Sequence, residues 1–285
     1  MPLVFPLTFN GNVGFPIKQT PRFNTIIQNT TSGRGGTRIP TQAFPLWDFV
    51  LDISFLSGDA QGTYNGAVIA GGTQYQKLVN FFMSVQGSGS DWLFQHPYDD
   101  SVGTYTIAGS LTSKVFVINE NIIQSTTLCN SNFISLSGAT FTVSGYSGIP
   151  DTSHTWVGQT SGAVWTPSAA PVLVTSMPFQ TGDGTTVAFS LLRTILSGGA
   201  QDLMQNFVTA PLIYDNGSLV SAANYSIDQY GTITFTVAPL NTHILSWAGQ
   251  FYYRCFFLED FWDAFEESYY QIWTLSGLKF RSVLQ

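Results

Sequence analysis

"TQAFPLWDFVLDISF", residues 41–55, sets Trp47, Phe49, Leu51, Ile53 and Phe55 at every second position. Successive side chains of a strand point to opposite faces, so this period predicts a β-strand with one apolar face turned to a core. The same signature returns downstream. In "IDQYGTITFTVAP", residues 227–239, Gly231 sits at a turn and the alternation that follows puts Ile233, Phe235 and Val237 on a packed face and Thr232, Thr234 and Thr236 on the other. One segment has a different period. "TQYQKLVNFFMSVQG" places Tyr75, Leu78, Val79, Phe82 and Met83 at helical spacing, which predicts a helix over 73–86 with Thr73 as N-cap and Gly87 as its stop. The next stretch, "GSGSDWLFQHPYDD", reads as loop, short strand and turn. Together these segments predict a mainly β protein carrying one packed helix.

Composition narrows the class of function. The 285 residues suffice for one large domain or two to three small ones. Charged residues make up 9% of the chain and aromatics 15%, where an ordinary soluble domain has roughly 25% charged residues. A surface so poor in charge points to a subunit that covers part of itself with neighbours. Ten Lys and Arg against 17 Asp and Glu give a net charge of −7, which argues against stable nucleic-acid binding, since that binding is driven by cations. The first 30 residues hold no charged segment followed by an apolar one and are interrupted by Pro2, Pro6, Pro16 and Pro21, so no signal peptide is expected. The longest apolar runs fall short of a membrane span, and no stable membrane association is expected. Cys129 and Cys255 are too few for a disulfide framework or a thiolate metal site and are expected as free, buried thiols.

Along the chain, "KVFVINENII" (114–123) with "NFISLSGATFTV" (132–143) resembles "APLIYDNGSLV" (210–220) with "NYSIDQYGTITFTV" (224–237). Each pair reads as strand, Asn-bearing turn, strand, then Gly138 or Gly231 before Phe-Thr-Val. Between them, a Gly/Ser/Thr/Pro-rich stretch reads as a loop excursion anchored by Trp156 and Trp165, with a module boundary near Pro171.

Signals for chemistry are sparse. His96, His154 and His243 are scattered outside any metal-ligand spacing, so no metal is expected. Ser147 in "GYSGI" lacks the final glycine of a nucleophile elbow. The glycine clusters "SGRGGTR" and "TGDGTTVAF" have Arg38 and Val187 where a phosphate-binding motif needs glycine, and both read as turns, the second leading into a strand through Val187, Phe189 and Leu191. Glu259, Asp260, Asp263, Glu266 and Glu267 lie among aromatics and would suit a glycoside hydrolase, which needs two carboxylates across a sugar. The simpler reading is an amphipathic helix burying Leu258, Phe261, Trp262, Phe265 and Tyr269.

The C-terminal run "GQFYYRCFFLEDFWDAFEESYYQIWTLSGLKFRSVLQ" resembles the ending of the distal tail proteins of phages and gene-transfer agents, long catalogued as a domain of unknown function. Further similar segments follow in the same order: "SGRGGTRI" with Trp47 downstream, "QKLVNFFMSVQGS", "DWLFQHPYDDSV", "TGDGTTVAFSLLR", "LIYDNGSL" and "YSIDQYGTITFTVAP". The resemblance covers residues 1–101 and about 178–285. The chain departs from it at Gly35, where members carry an acidic residue, at His96-Pro97-Tyr98-Asp99, and in residues 102–175, which are extra.

The resemblance implies a β-sandwich belt domain with one packed helix and additional inserted β domains. Residues 1–101 would hold the first part of the belt, 102–175 an inserted module, 176–240 a β-hairpin module and 241–285 the strands that complete the belt. It implies a structural virion protein of the tail tip, assembled in the host cytoplasm, whose copies form a ring, with six expected. That ring would join the tail tube protein to the hub or baseplate protein, meet the tape measure protein and tail fibres, and pass DNA transiently through an acidic lumen. No catalytic residue, cofactor or metal is implied. The competing expectation is a carbohydrate- or receptor-binding module, with Trp156 and Trp165 as the glycan-contacting rings.

Overall fold

The computed structural model describes residues 2–6, 17–28, 37–57, 63–64, 67–68, 74–97, 99–124, 129–146, 150–195, 199–261, 264–267 and 272–284. Among the described residues the fold is mainly β with one α-helix, as the alternating pattern predicts. Two compact units share the chain. Unit 1 takes residues 1–8, 12–94 and 253–284, and unit 2 takes 9–11, 95–252 and 285. The return to unit 1 comes at Tyr253, twelve residues later than the boundary expected at 241, because the strand Ile244–Phe257 gives residues up to Tyr252 to unit 2 and the rest to unit 1.

Unit 1 is built on the strand predicted in residues 41–55. Strand Leu46–Ser57 lies between Ile17–Arg22 and Ile272–Ser282, antiparallel to both, and Ile272–Ser282 in turn pairs with the end of Ile244–Phe257, which pairs with Trp92–Phe94. Trp47, Phe49, Leu51 and Ile53 are buried as their period requires. The face they share is aromatic: Phe49 stacks on Phe280 at 5.2 Å, and Trp92 lies 4.9 Å from Phe280 and 4.8 Å from Phe257. Phe5 closes it, stacked 5.2 Å from Trp92. Such ring pairs add about 1 kcal/mol each beyond their buried area.

Helix Gln74–Val85 packs on this face, the one packed helix expected for the belt. Its buried stripe is Leu78, Phe81 and Val85, with Phe82 half-buried beside it; of the residues at helical spacing Met83 is the one left exposed. Phe81 and Phe82 are adjacent, and period alone does not choose between them. The sheet takes both rings, Phe81 edge-on to Phe5 and to Trp92 and Phe82 against Phe257 at 5.1 Å, and leaves Met83 68% exposed. Gln86 and Gly87 both take positive φ and end the helix. The proposed cap, Thr73, lies outside the described residues. The C-terminal acidic segment is not an amphipathic helix: residues 264–267 form a strand antiparallel to Ile272–Ser282.

In unit 2, residues 104–175 close on themselves. Strands Thr140–Ser144, Cys129–Ser137, Asn121–Gln124, Trp156–Gly158, Val164–Pro167 and Thr104–Ser113 pair in that order, and Thr104–Ser113 pairs again with Thr140–Ser144 to complete a six-stranded barrel; Val172–Thr175 adds outside it. Closure depends on Thr104–Ser113 serving two neighbours, its first half facing Thr140–Ser144 and its second half facing Val164–Pro167. Gly109 sits at the changeover, where a Cβ would lie 2.2 Å from the Thr166 carbonyl oxygen. Only glycine permits that approach. A barrel of this size is filled by side chains, here Ile107, Ile122, Phe116, Phe133, Phe141, Val143, Trp156 and Trp165 among others.

The barrel corrects three expectations. The Gly/Ser/Thr-rich excursion contributes two of its strands, and the sheet continues past Pro171 to Thr175. Residues 114–118 are not a strand: Phe116 alone turns in, against Phe133 and Phe141, while Val115, Val117 and Ile118 stand exposed. The two similar stretches are also paired differently. Cys129–Ser137 and Thr140–Ser144 form a barrel hairpin, whereas Tyr225–Ile227 and Thr232–Phe235 belong to a separate three-stranded sheet with Ala188–Ser190. There Ile233 and Phe235 are buried, but the strand ends at Phe235 and Val237 is 78% exposed.

Candidate interaction surface

The residues singled out for glycan contact do not reach the surface. Trp156 and Trp165 are cross-strand partners, both fully buried, and Trp165 stacks on Phe141 at 5.0 Å. Their rings are the filling of the barrel and have no face left for a sugar. Aromatic content in this segment reports a core, because a barrel of short strands needs large side chains to fill it.

Carboxylates near the described turns hold backbone. Asp260 accepts from the Ser88 N–H at 2.9 Å and the Ser88 hydroxyl at 2.6 Å, clamping the turn after the helix, and these hydrogen bonds hold its carboxyl below the usual carboxylate range. Glu259 pairs with Lys279. Asp263 and the side chains of Glu266 and Glu267 lie outside the described residues. Asp183 accepts from the Thr186 hydroxyl and the N–H groups of Thr185 and Thr186, so the donors a phosphate would need in "TGDGTT" already serve a carboxylate, which they hold well below its ordinary pKa. Glu120 is buried and accepts four times, from Val117 N–H, Thr160 N–H, Ser161 N–H and Ser161 hydroxyl.

The histidines are dispersed. His154 contacts Asp151 at 2.7 Å and His243 contacts Asp215 at 2.8 Å. Among the described residues no group of three or more His, Cys, Asp or Glu side chains is arranged to hold a metal. Both cysteines are free and buried, and burial pushes the Cys129 thiol up to about 12, away from nucleophilic use.

One polar cluster does lie inside unit 2. Arg193, buried, pairs with Asp99 and with Asp202 at 3.2 Å and sits 5.0 Å over the Phe251 ring. Beside it, buried Asp100 accepts from Gln95 Nε2 at 2.8 Å and Asn132 Nδ2 at 3.2 Å. Burial pushes the Asp100 carboxyl up to about 6, against the pull of its hydrogen bonds from Gln95 and Ser101. Burial, with Asp99 opposing, holds His96 down to about 4. Through Arg193, Asp99 is tied to the Leu192–Thr194 and Gln201–Leu203 hairpin, and the buried guanidinium is paired, the arrangement that burial of charge demands.

The feature that points outward is in unit 1. Strands Thr25–Gln28 and Thr37–Pro40 form an antiparallel ribbon, Ile26 facing Ile39 and Ile27 facing Arg38. It continues the pair formed by Ile17–Arg22 and Leu46–Ser57, with Thr41 N–H and hydroxyl both donating to the Asn24 carbonyl at the junction. Beyond the sheet no described residue covers it. Ile26 is 53% exposed, Ile27 58%, Ile39 45%, and Phe23 at its base 53%. Alternation puts Ile26 and Ile39 on one face and Ile27, Arg38 and Pro40 on the other, so each face carries an exposed isoleucine and the second also carries a cation. The sequence reading missed this arm, although "TIIQ" and "TRIP" on either side of a Gly/Ser-rich stretch carry a hairpin signal.

No family model matches the chain, and no curated protein matches it significantly.

Proposed function

We propose that the chain is a structural subunit of a phage-type tail tip, whose copies assemble into a ring that joins the tail tube to the hub or fibres and lets DNA pass. Six copies are expected in the ring. The observation that carries this reading is the ribbon of residues 25–28 and 37–40. A two-stranded ribbon is marginal in water by itself, and an exposed apolar ribbon invites pairing and association unless it is covered. A chain that keeps one projecting from its sheet is built to be covered by neighbours. The collinear motifs in the sequence support the same reading, with "LKFRSV" forming part of Ile272–Ser282, the strand between Leu46–Ser57 and Ile244–Phe257. Carboxylates engaged in turns and clamps suit a scaffold more than a catalyst. Native mass spectrometry and negative-stain electron microscopy of the purified protein test it: closed rings of one stoichiometry are expected. A strict monomer, both alone and mixed with a tail tube protein, overturns it.

A further inference from the structure

Residues 1–47 contain Lys18, Arg22, Arg34 and Arg38 and no carboxylate, which leaves six cations against the other residues' 17 Asp and Glu. The chain is thus a basic hairpin segment joined to an acidic body, a split hidden by the net charge of −7. Arg22 is partly answered within the copy, 3.5 Å from Asp48. Lys18 and Arg38 are exposed, and neither has an ion-pair partner among the described residues. We infer that the arm formed by residues 18–28 and 37–40 docks on the acidic body of a second copy of this chain, giving a head-to-tail contact that repeats from copy to copy. The inference rests on the ring reading and adds to it which segment makes the contact and by what chemistry.

Three observations converge on that occupant. The ribbon offers apolar side chains on both faces, so its partner must supply apolar surface, which a bare phosphate backbone does not. Its charges are positive, so its partner is negative, and the body of the same chain has that sign. Opposite signs on two different surfaces of one molecule favour a heterologous contact, the kind that closes into rings, over a two-fold one that would bring arm against arm.

The experiment compares the full chain with K18E/R38E and with I26S/I39S, all positions exposed in the monomer, with circular dichroism confirming that each variant keeps its β content. Wild type is expected to form rings at low salt and to dissociate at about 1 M salt, where the Debye length is about 3 Å. Each variant is expected to weaken assembly about tenfold or more in dissociation constant. Rings that form equally well in both variants and persist in salt overturn the docking inference and leave the ring reading standing. Absence of rings in wild type overturns both. Intact rings in K18E/R38E combined with lost retention of duplex DNA would assign the arm to nucleic acid, which also overturns it.

Discussion

The buried pair Asp100 and His96 makes a prediction whose sign and size follow from burial. The carboxyl is raised from 3.8 to about 6 and the imidazole lowered from 6.5 to about 4. At about 1.4 kcal/mol per unit, each shift is worth about 3 kcal/mol. A carboxyl that is harder to ionise when folded destabilises the native state above pH 6, and that cost disappears as pH falls toward 3.8. An imidazole that is harder to protonate when folded acts in the opposite sense, and its contribution is lost as pH falls from 6.5 to 4. Between about pH 4 and 6 the native state therefore holds one proton on Asp100 and none on His96, while the unfolded state holds the reverse. Proton counts match, so the two slopes cancel.

Replacing Asp100 with Asn removes one of the opposing slopes. Relative to wild type, D100N should lose about 3 kcal/mol between pH 7 and pH 4 as His96 protonates only in the unfolded state. H96N should gain by a similar amount over the same range. A constant offset from imperfect hydrogen bonding to Gln95 and Asn132 does not alter these differences. Because the two units need not unfold together, global denaturation is a poor readout. Native-state hydrogen exchange at the Phe251 amide, which donates to the Asp100 carbonyl, reports unit 2 alone after correction for intrinsic rates. A D100N-minus-wild-type difference constant within about 0.5 kcal/mol from pH 4.5 to 7 would refute the proton exchange between the two sites.

Three further perturbations probe the barrel and its neighbours. W165A should cost about 4 kcal/mol, from lost burial and an unfilled interior, read as lost exchange protection in strands 104–144; preserved protection would mean that Trp165 is not the filling of the barrel. E120A leaves the N–H groups of Val117, Thr160 and Ser161 without their acceptor and should cost about 3 kcal/mol, with faster exchange at those amides as the check. G231A meets both a φ of +77° and a Cβ position 2.0 Å from the Met204 carbonyl oxygen. It should cost well over 1 kcal/mol and loosen the Leu191 amide, which donates to the Gly231 carbonyl; unchanged exchange there would contradict the close approach.

What the sequence determined by itself is the local pattern. Period two in 41–55 is enough to bury Phe49, Leu51 and Ile53, because side-chain alternation follows from strand geometry whatever the partner strand is. Period 3.6 in 73–86 located the helix found at 74–85 for the same reason. Tertiary structure decided what period leaves open. That Phe81 packs inward beside Phe82, where the helical spacing had placed Met83, depends on where Phe5 and Trp92 stand. Helical spacing in 258–269 was overridden where Ile272–Ser282 offered a strand edge to residues 264–267, since helix propensity is worth only tenths of a kcal/mol per residue and tertiary pairing outweighs it. Trp156 and Trp165 lie in segments read as loop, and only closure through Gly109 makes them a core. The arm at 25–28 and 37–40 shows the limit from the other side: its residues spell an ordinary half-buried hairpin, and burial is a property of what the chain brings near, which here is nothing among the described residues.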